Sequence, residues 1–388
     1  MGDKILKTIP KVKVDRPFEL LMASLKSVAS RKTYAVNYRG FLKFSEMKNG
    51  QQIIDTTPKK LTEIIIGYIL QLQKEVNPNT IPTYLATVRS FLEINDIDLK
   101  WKKIKKFYPD KIKISGQNAY STEHVKKMLS VTTKLQHRAL IHFHASTGCR
   151  AGSIFYEYDK SLKRALTIGD LRDMPHGCQM VTIYRDTKDE YSTFLTPEAV
   201  IEIENFLTAR KNKGEILNNE SPLFIKLNGM PMTEMDAKQI FKRIVTVANV
   251  RGQMKNGRYP VQLVHGFRKR FNTIMKLNNS VNDNAIEKMM GHQKGLDGTY
   301  LQITDERLFE EFYKGITDLT ISDEFRDKLK IRELEKAKPD DEEIITKIMP
   351  EVLIHLRKEL GLGTITNDAV DTLNKEQLKN LVKNFLVN

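Results

Sequence analysis

VHGFRKRF, Val264 to Phe271, and MMGHQKGLDGTY, Met289 to Tyr300, are the stretches on which the reading of this chain turns. The first places His265 and Arg268 one helical turn apart on one face. The second supplies another histidine, His292, then a turn rich in glycine and aspartate, then Tyr300. Two imidazoles, a fixed cation and a phenol are what attack by tyrosine on a phosphodiester requires. A phenol with an ordinary pKa of about 10 is ionised in only about one molecule in a thousand at neutral pH. Cations must therefore stabilise both the phenolate and the phosphorane-like transition state.

The chain around these stretches is long enough, at 388 residues, for two or three domains. With 40% hydrophobic and 29% charged residues, its composition is that of a soluble globular protein and not of a disordered one. The net charge is +15, unevenly spread. From Ile321 onward there are 12 Lys and Arg against 14 Asp and Glu; taken from totals of 63 and 48, this leaves 51 basic and 34 acidic side chains in the first 320 residues. That excess suits a nucleic acid partner, where phosphate neutralisation releases counterions.

Cys149 and Cys178 are too few and too far apart for a disulfide framework or a thiolate metal site. A reducing, cytoplasmic setting beside the nucleoid is expected. The longest apolar run, IIIGYIL at Ile64 to Leu70, is too short to span a bilayer, and MGDKILKTIPKVKVD at the N-terminus lacks a hydrophobic signal core. No membrane partner is expected. No Walker-type glycine loop is present, so no nucleotide requirement is visible.

Taken in order, residues 1–15 read as a basic, flexible arm. Residues 16–100 read as a small helical bundle: Phe18, Leu21 and Leu25, then Tyr34, Tyr38 and Phe41 recur at helical spacing. A second helix follows from Thr57 to Lys74, and a third carries Ile81, Leu85, Val88 and Leu92. Arg31, Lys32, Arg39 and Arg89 on this bundle are candidate DNA contacts, equally compatible with ordinary solvated helix faces. WKKIKKFYPDKIKISG, residues 101–117 with its flank, reads as a basic linker in which Lys102, Lys103, Lys105 and Lys106 could follow a phosphate backbone.

From 118 to 320 the pattern changes. Ser121 can cap the helix EHVKKMLS, and LQHRALIHFHASTG ends at Gly148 with Arg150 just beyond. ALTIGDL, QMVTIYR and YSTFLT read as three short strands, the last two joined by RDTKDE, which puts Lys188 at a hairpin tip. Helices opening at Thr196 and Thr233, the His265/Arg268 helix, NDNAIEKMMGH and a last helix carrying Tyr300 complete the unit. Residues 321–388 read as a helical extension whose amphipathic helices pair with each other or with another subunit. The expected class is mainly α with a small antiparallel β-sheet, α+β. His142 and His144 in IHFHAS lack a carboxylate or thiolate neighbour in sequence, and no metal site is expected.

The ordered set TGCR at Thr147 to Arg150, a lysine in a hairpin turn, HGFR, GH and a tyrosine eight residues later resembles the tyrosine recombinase (phage integrase) family, of an archaeal or mobile-element kind. The resemblance covers roughly Ser121 to Leu319 by motif, and the helical bundle before it more loosely. It implies a core-binding domain and a catalytic domain closing as a clamp on double-stranded DNA, four protomers on two sites, and no metal or cofactor. It also implies that Arg150 and Arg268 grip the scissile phosphate and that Lys188 protonates the leaving 5′ oxygen. His265 and His292 would assist proton movement and hold the phosphate, and Tyr300 would be the nucleophile of a 3′-phosphotyrosyl intermediate. Ser153 stands where the family often has an acidic residue after the first arginine, Arg185 shares the hairpin with Lys188, and Tyr313 is a rival nucleophile. A type IB topoisomerase and a non-catalytic DNA-binding protein on the same scaffold are the alternatives.

Overall fold

The computed structural model describes residues 15–113, 116–155, 164–255, 258–292 and 303–336, with side-chain surroundings as far as 331. The chain divides into two compact units, one formed mainly by residues up to Gln117 and one beginning at Asn118.

In the first unit, apolar residues at helical spacing build α1 (Arg16–Ser24), α2 (Val28–Ser45), α3 (Gly50–Ile54), α4 (Pro58–Glu75), α5 (Ile81–Ile94) and α6 (Trp101–Ile104). Asp15 caps the first of these and Ser27 the second, each accepting a backbone N–H at an otherwise unpaired helix start. Phe18, Tyr38 and Phe91 stack in the centre, joined by Leu61, Ile65 and Leu85. Ordered structure runs into the stretch read as a linker: Trp101 and Ile104 are buried in this same core, so the lysine run begins on a packed helix. The lysines interleave with two buried apolar anchors, and those anchors outweigh the loop-like composition.

In the second unit the helices are α7 (Thr122–Ser130), α8 (Leu135–Thr147), α9 (Pro197–Asn212), α10 (Glu234–Val247), α11 (His265–Leu277), α12 (Asp283–Met289), α13 (Asp305–Lys314), α14 (Ile316–Leu319) and α15 (Asp323–Lys336). Ser121 makes a capping box with His124, Thr233 makes another with Asp236, and Asn282 caps α12, each at the helix start where the sequence places it.

Three strands, β1 (Leu171–Met174), β2 (Cys178–Ile183) and β3 (Tyr191–Leu195), form an antiparallel sheet in that order. Leu171 faces Val181 across the first pair, and Ile183 faces Tyr191 across the second. The first strand lies later than ALTIGDL suggests. The Asp170 carboxylate accepts the Thr167 N–H at 2.8 Å and closes a 3-10 turn over Ile168–Asp170, so pairing starts only at Leu171.

Strand alternation buries both faces of the sheet. Val181, Ile183 and Leu195 join the core built by α8, α9 and α10, whereas Cys178, Met180 and Phe194 join a second core with Phe271, Met275, Ile286, Phe309, Phe312 and Ile316. Both cysteines are free and buried. The class is thus mainly α with a small antiparallel sheet. Among the described residues no helix is long and apolar enough to cross a membrane.

Candidate active site

The site is assembled where two glycines with left-handed backbones let helix ends approach aromatic rings. Gly148 ends α8 with φ +57°, and a Cβ there would stand 2.5 Å from the Cβ of Phe271 on α11. Gly291, just past α12, has φ +63°, and a Cβ there would stand 2.5 Å from the Tyr191 ring at the start of β3. Only glycine satisfies both demands at once. These two turns bring the ends of α8 and α12 to the first turn of α11. The far side of α8 is tied to the sheet, for the Ser146 hydroxyl donates to the Phe194 carbonyl and that of Thr193 to the Thr147 carbonyl, each at 3.1 Å.

Arg268 sits at this junction, 4% exposed. Its Nη1 donates to the Gly148 carbonyl at 3.0 Å, and its Nη2 donates to the Met290 carbonyl at 2.8 Å and meets His292 Nε2 at 2.6 Å. Burial lowers its pKa, with nearby Arg150 adding to the effect and Tyr191 opposing it; a guanidinium stays charged throughout. Arg150, exposed, reaches the same turn and donates from Nη2 to the Gly291 carbonyl at 3.2 Å. Two guanidinium groups and an imidazole therefore converge on residues 290–292.

Ser153 stabilises Arg150 through its backbone. Its hydroxyl donates to the Arg150 carbonyl at 2.7 Å, while the Arg150 side chain is directed by Gly291 and not by a carboxylate at 153.

His265 begins α11 and is exposed overall, but partial desolvation of its ring lowers its pKa, helped by Lys269 and Arg268. Lys188 is exposed in the turn between β2 and β3. That turn is braced at its base, where the Arg185 Nη1 donates to the Gly169 carbonyl at 3.2 Å and lies 3.4 Å from the Asp170 carboxylate. Arg185 is thus engaged in holding the hairpin, and Lys188 is the cation presented at its tip. Tyr300 lies outside the described residues. Tyr313 belongs to a helix that starts only at Asp305, capped by Thr304, and it packs on Phe309 and against His176, with ring centroids 4.6 Å apart in the second pair.

Among the candidate DNA contacts, Lys32, Lys102, Lys103, Lys105 and Lys106 are exposed. Arg31 and Arg39 donate to the carbonyls of Leu25 and Ala35, at 2.8 and 3.3 Å. Arg89 pairs with Glu93 at 2.6 Å and lies over the Trp101 ring.

Two residues that the motifs do not name also belong to the site. Tyr191 is half-buried beside both arginines, its enclosed hydroxyl makes no hydrogen bond among the described residues, and desolvation raises its pKa. Glu287, on α12, sits 2.6 Å from His292 Nδ1. A cue for it was present in sequence: an acidic residue in the last turn of a helix opposes the helix dipole and needs a cationic or donor partner.

Elsewhere in this unit, His144 lies among Phe143, Phe155, Phe241 and Phe267, its Nδ1 3.6 Å from the Cys149 sulfur. Among the described residues no group of three or more His, Cys, Asp and Glu could hold a metal ion.

This is a mainly helical unit around a small sheet, presenting paired arginines and a histidine from three helix ends. Residues 120–296 match the model of the phage integrase family. The matched stretch stops short of Tyr300. The fold is shared with solved structures, among them these two. One is the XerH site-specific recombinase bound to difH substrate as a pre-cleavage complex, at 15% identity, covering 79% of this chain and 86% of that one, TM-score 0.50. The other is the Tn1549 transposon integrase in complex with circular intermediate DNA, at 17% identity, covering 76% and 98%, TM-score 0.50. A search of curated proteins finds no match.

Proposed function

We propose that the chain is a site-specific DNA recombinase that cuts and rejoins duplex DNA through a 3′-phosphotyrosyl intermediate, for integration or excision of a mobile element. The observation that carries this reading is the convergence of Arg150, Arg268 and His292 on the 290–292 turn, within a domain that matches the integrase family. Two guanidinium groups aimed at one point suit the non-bridging oxygens of a phosphodiester, where negative charge grows during attack. Arginine fits this work because its fork is planar and remains charged.

In the proposed reaction the Tyr300 oxygen attacks the scissile phosphorus as its proton passes to His265 or His292, the bond to the 5′ oxygen breaks, and Lys188 gives that oxygen a proton. The phosphotyrosyl bond keeps the energy of the broken ester, so a 5′-hydroxyl from another strand can reverse the step without a cofactor. Tyr300 stands eight residues beyond His292, a tether of at most roughly 28 Å. Delivery to the chain's own site or to a neighbour's is compatible with that reach. The first unit, with its lysine run at 102–106, would hold the DNA flank, residues 118–320 would carry the chemistry, and four protomers would work on two sites, with contacts between them from the extension after residue 321.

The test is covalent adduct formation on nicked suicide duplexes, without metal, comparing wild type with Tyr300→Phe and Tyr313→Phe. Loss of the adduct in Tyr300→Phe alone is the expected result. Loss in Tyr313→Phe alone would move the nucleophile, and no adduct with any DNA would remove the catalytic reading. Relaxation of supercoils without recombinants would indicate the topoisomerase alternative.

A further inference from the structure

Glu287 is 8% exposed, and both of its carboxylate oxygens have close partners. One oxygen, Oε2, is 2.6 Å from His292 Nδ1, and the other, Oε1, is 2.5 Å from Lys276 Nζ on α11. The Glu287 carbonyl also accepts the His292 backbone N–H at 2.9 Å, so the imidazole is tied to this residue twice.

On the opposite side of the ring, Nε2 faces Arg268 Nη2 at 2.6 Å. A guanidinium can only donate, so Nε2 must carry the lone pair. A protonated Nε2 at that distance would set two donors against each other. The hydrogen-bond network thus assigns the single imidazole proton to Nδ1, pointing at the carboxylate.

We propose that Glu287 is a positioning residue of the site: its carboxylate fixes His292 as the Nδ1–H tautomer, and through that ring it sets the fork of Arg268. The imidazole is thereby a link between an acid and an arginine. Its Nε2 lone pair and the Met290 carbonyl together hold the Nη2 arm of the Arg268 guanidinium, while the Gly148 carbonyl holds Nη1. When a phosphodiester oxygen takes over Nη2, the lone pair is released in direct reach of the reacting group, as an acceptor for a proton. The carboxylate then faces the imidazolium that results. This inference rests on the recombinase reading for its catalytic meaning, although the tautomer itself does not.

Two measurements separate these levels. The first is the 15N spectrum of the histidine-labelled full chain, with His292 assigned by comparison with His292→Gln. A neutral Nδ1–H ring is expected in wild type. Glu287→Leu should convert it to a mixture or to the Nε2–H form, and Glu287→Gln, whose amide oxygen can still accept from Nδ1, should restore it. An Nε2–H ring in wild type would overturn the proposal whether or not the protein cuts DNA.

The second is the rate of adduct formation on suicide duplexes, alongside duplex affinity. Glu287→Leu should slow cleavage about 10- to 100-fold, the range for losing an orienting partner of a histidine, with affinity unchanged and partial recovery in Glu287→Gln. Lys276→Met, which removes another partner of the carboxylate, should cleave like wild type. Equal rates in wild type and Glu287→Leu would refute the positioning role. So would a Lys276→Met defect as large as that of Glu287→Leu, because it would trace the effect to the ion pair and not to the imidazole. If wild type forms no adduct, the recombinase reading fails while the spectrum still decides the tautomer.

Discussion

Arg268 and Arg270 stand two positions apart in HGFRKR and have opposite roles. Arg268 is aimed at the 290–292 turn, whereas Arg270, 1% exposed, donates to the Thr122 hydroxyl at 3.1 Å and the Leu319 carbonyl at 3.0 Å on the other side of α11. Its burial lowers its pKa to about 10, against the opposing pull of Glu198. The motif identified the first arginine because spacing from a histidine is visible in sequence. It could not identify Glu287 or Tyr191, whose importance comes from a glycine turn that folds back across the chain. Gly291 is where that turn is most exposed to test. Gly291→Ala places a methyl group in the Tyr191 ring and asks an L-residue to hold φ +63°. The backbone penalty alone is about 1–2 kcal/mol. Denaturant melts should show a loss of at least this size, and adduct formation should fall further than stability explains, because His292 moves with the turn.

At the scale of elements, capping residues and apolar spacing located most helices, and the alternation in QMVTIYR and YSTFLT located β2 and β3. The short α3 and the displaced β1 were hidden because local side-chain bonds decide them: Asn49 caps α3, and Asp170 folds the residues that alternate like a strand. Helix α8 illustrates burial that composition obscures. Its C-terminal half is enclosed on all sides although it carries His142 and His144. Burial lowers the pKa of His144 to about 3 and that of His142 to about 4.

The unfolded chain takes up protons on these rings below an ordinary value of about 6.5 while the native state does not, so the stability they support is full above that pH and is lost as pH falls toward 4. His144 should account for about 2 kcal/mol of the difference between pH 7 and pH 5. His144→Phe, which keeps an aromatic ring among Phe143, Phe155, Phe241 and Phe267, should flatten the acid side of the stability profile by that amount in urea titrations. An unchanged slope would mean that the native protein admits the proton. Glu198 acts with the opposite sign. Burial raises its pKa, so its ionisation costs native stability as pH rises past the ordinary glutamate value, partly offset by its bonds to the Ile321 and Ser322 N–H groups.

For the molecule as a whole, the +15 charge is legible in sequence, but where it is usable is a matter of structure. Lys102, Lys103, Lys105 and Lys106 are exposed on a segment whose Trp101 and Ile104 are anchored in a core, so these charges are presented from fixed backbone and not from a loose tether. Replacing the four lysines with glutamine should weaken duplex binding uniformly across sequences and reduce the log–log salt slope by about 0.9 for each phosphate that is no longer neutralised. Equal slopes for the two proteins would place the DNA path elsewhere.

The partners of the two arginines have a further consequence. In the unliganded protein Arg268 and Arg150 rest on the neutral carbonyls of Gly148, Met290 and Gly291, with the His292 imidazole beside the first. An incoming anion need not organise these cations from a disordered start; it has only to outcompete amide dipoles for donors already gathered. The resting protein is in effect an anion receptor carrying a weak occupant of its own. Its selectivity is then a matter of exchange: water and uncharged solutes gain little by displacing a carbonyl, while a phosphodiester brings a full charge to the same place.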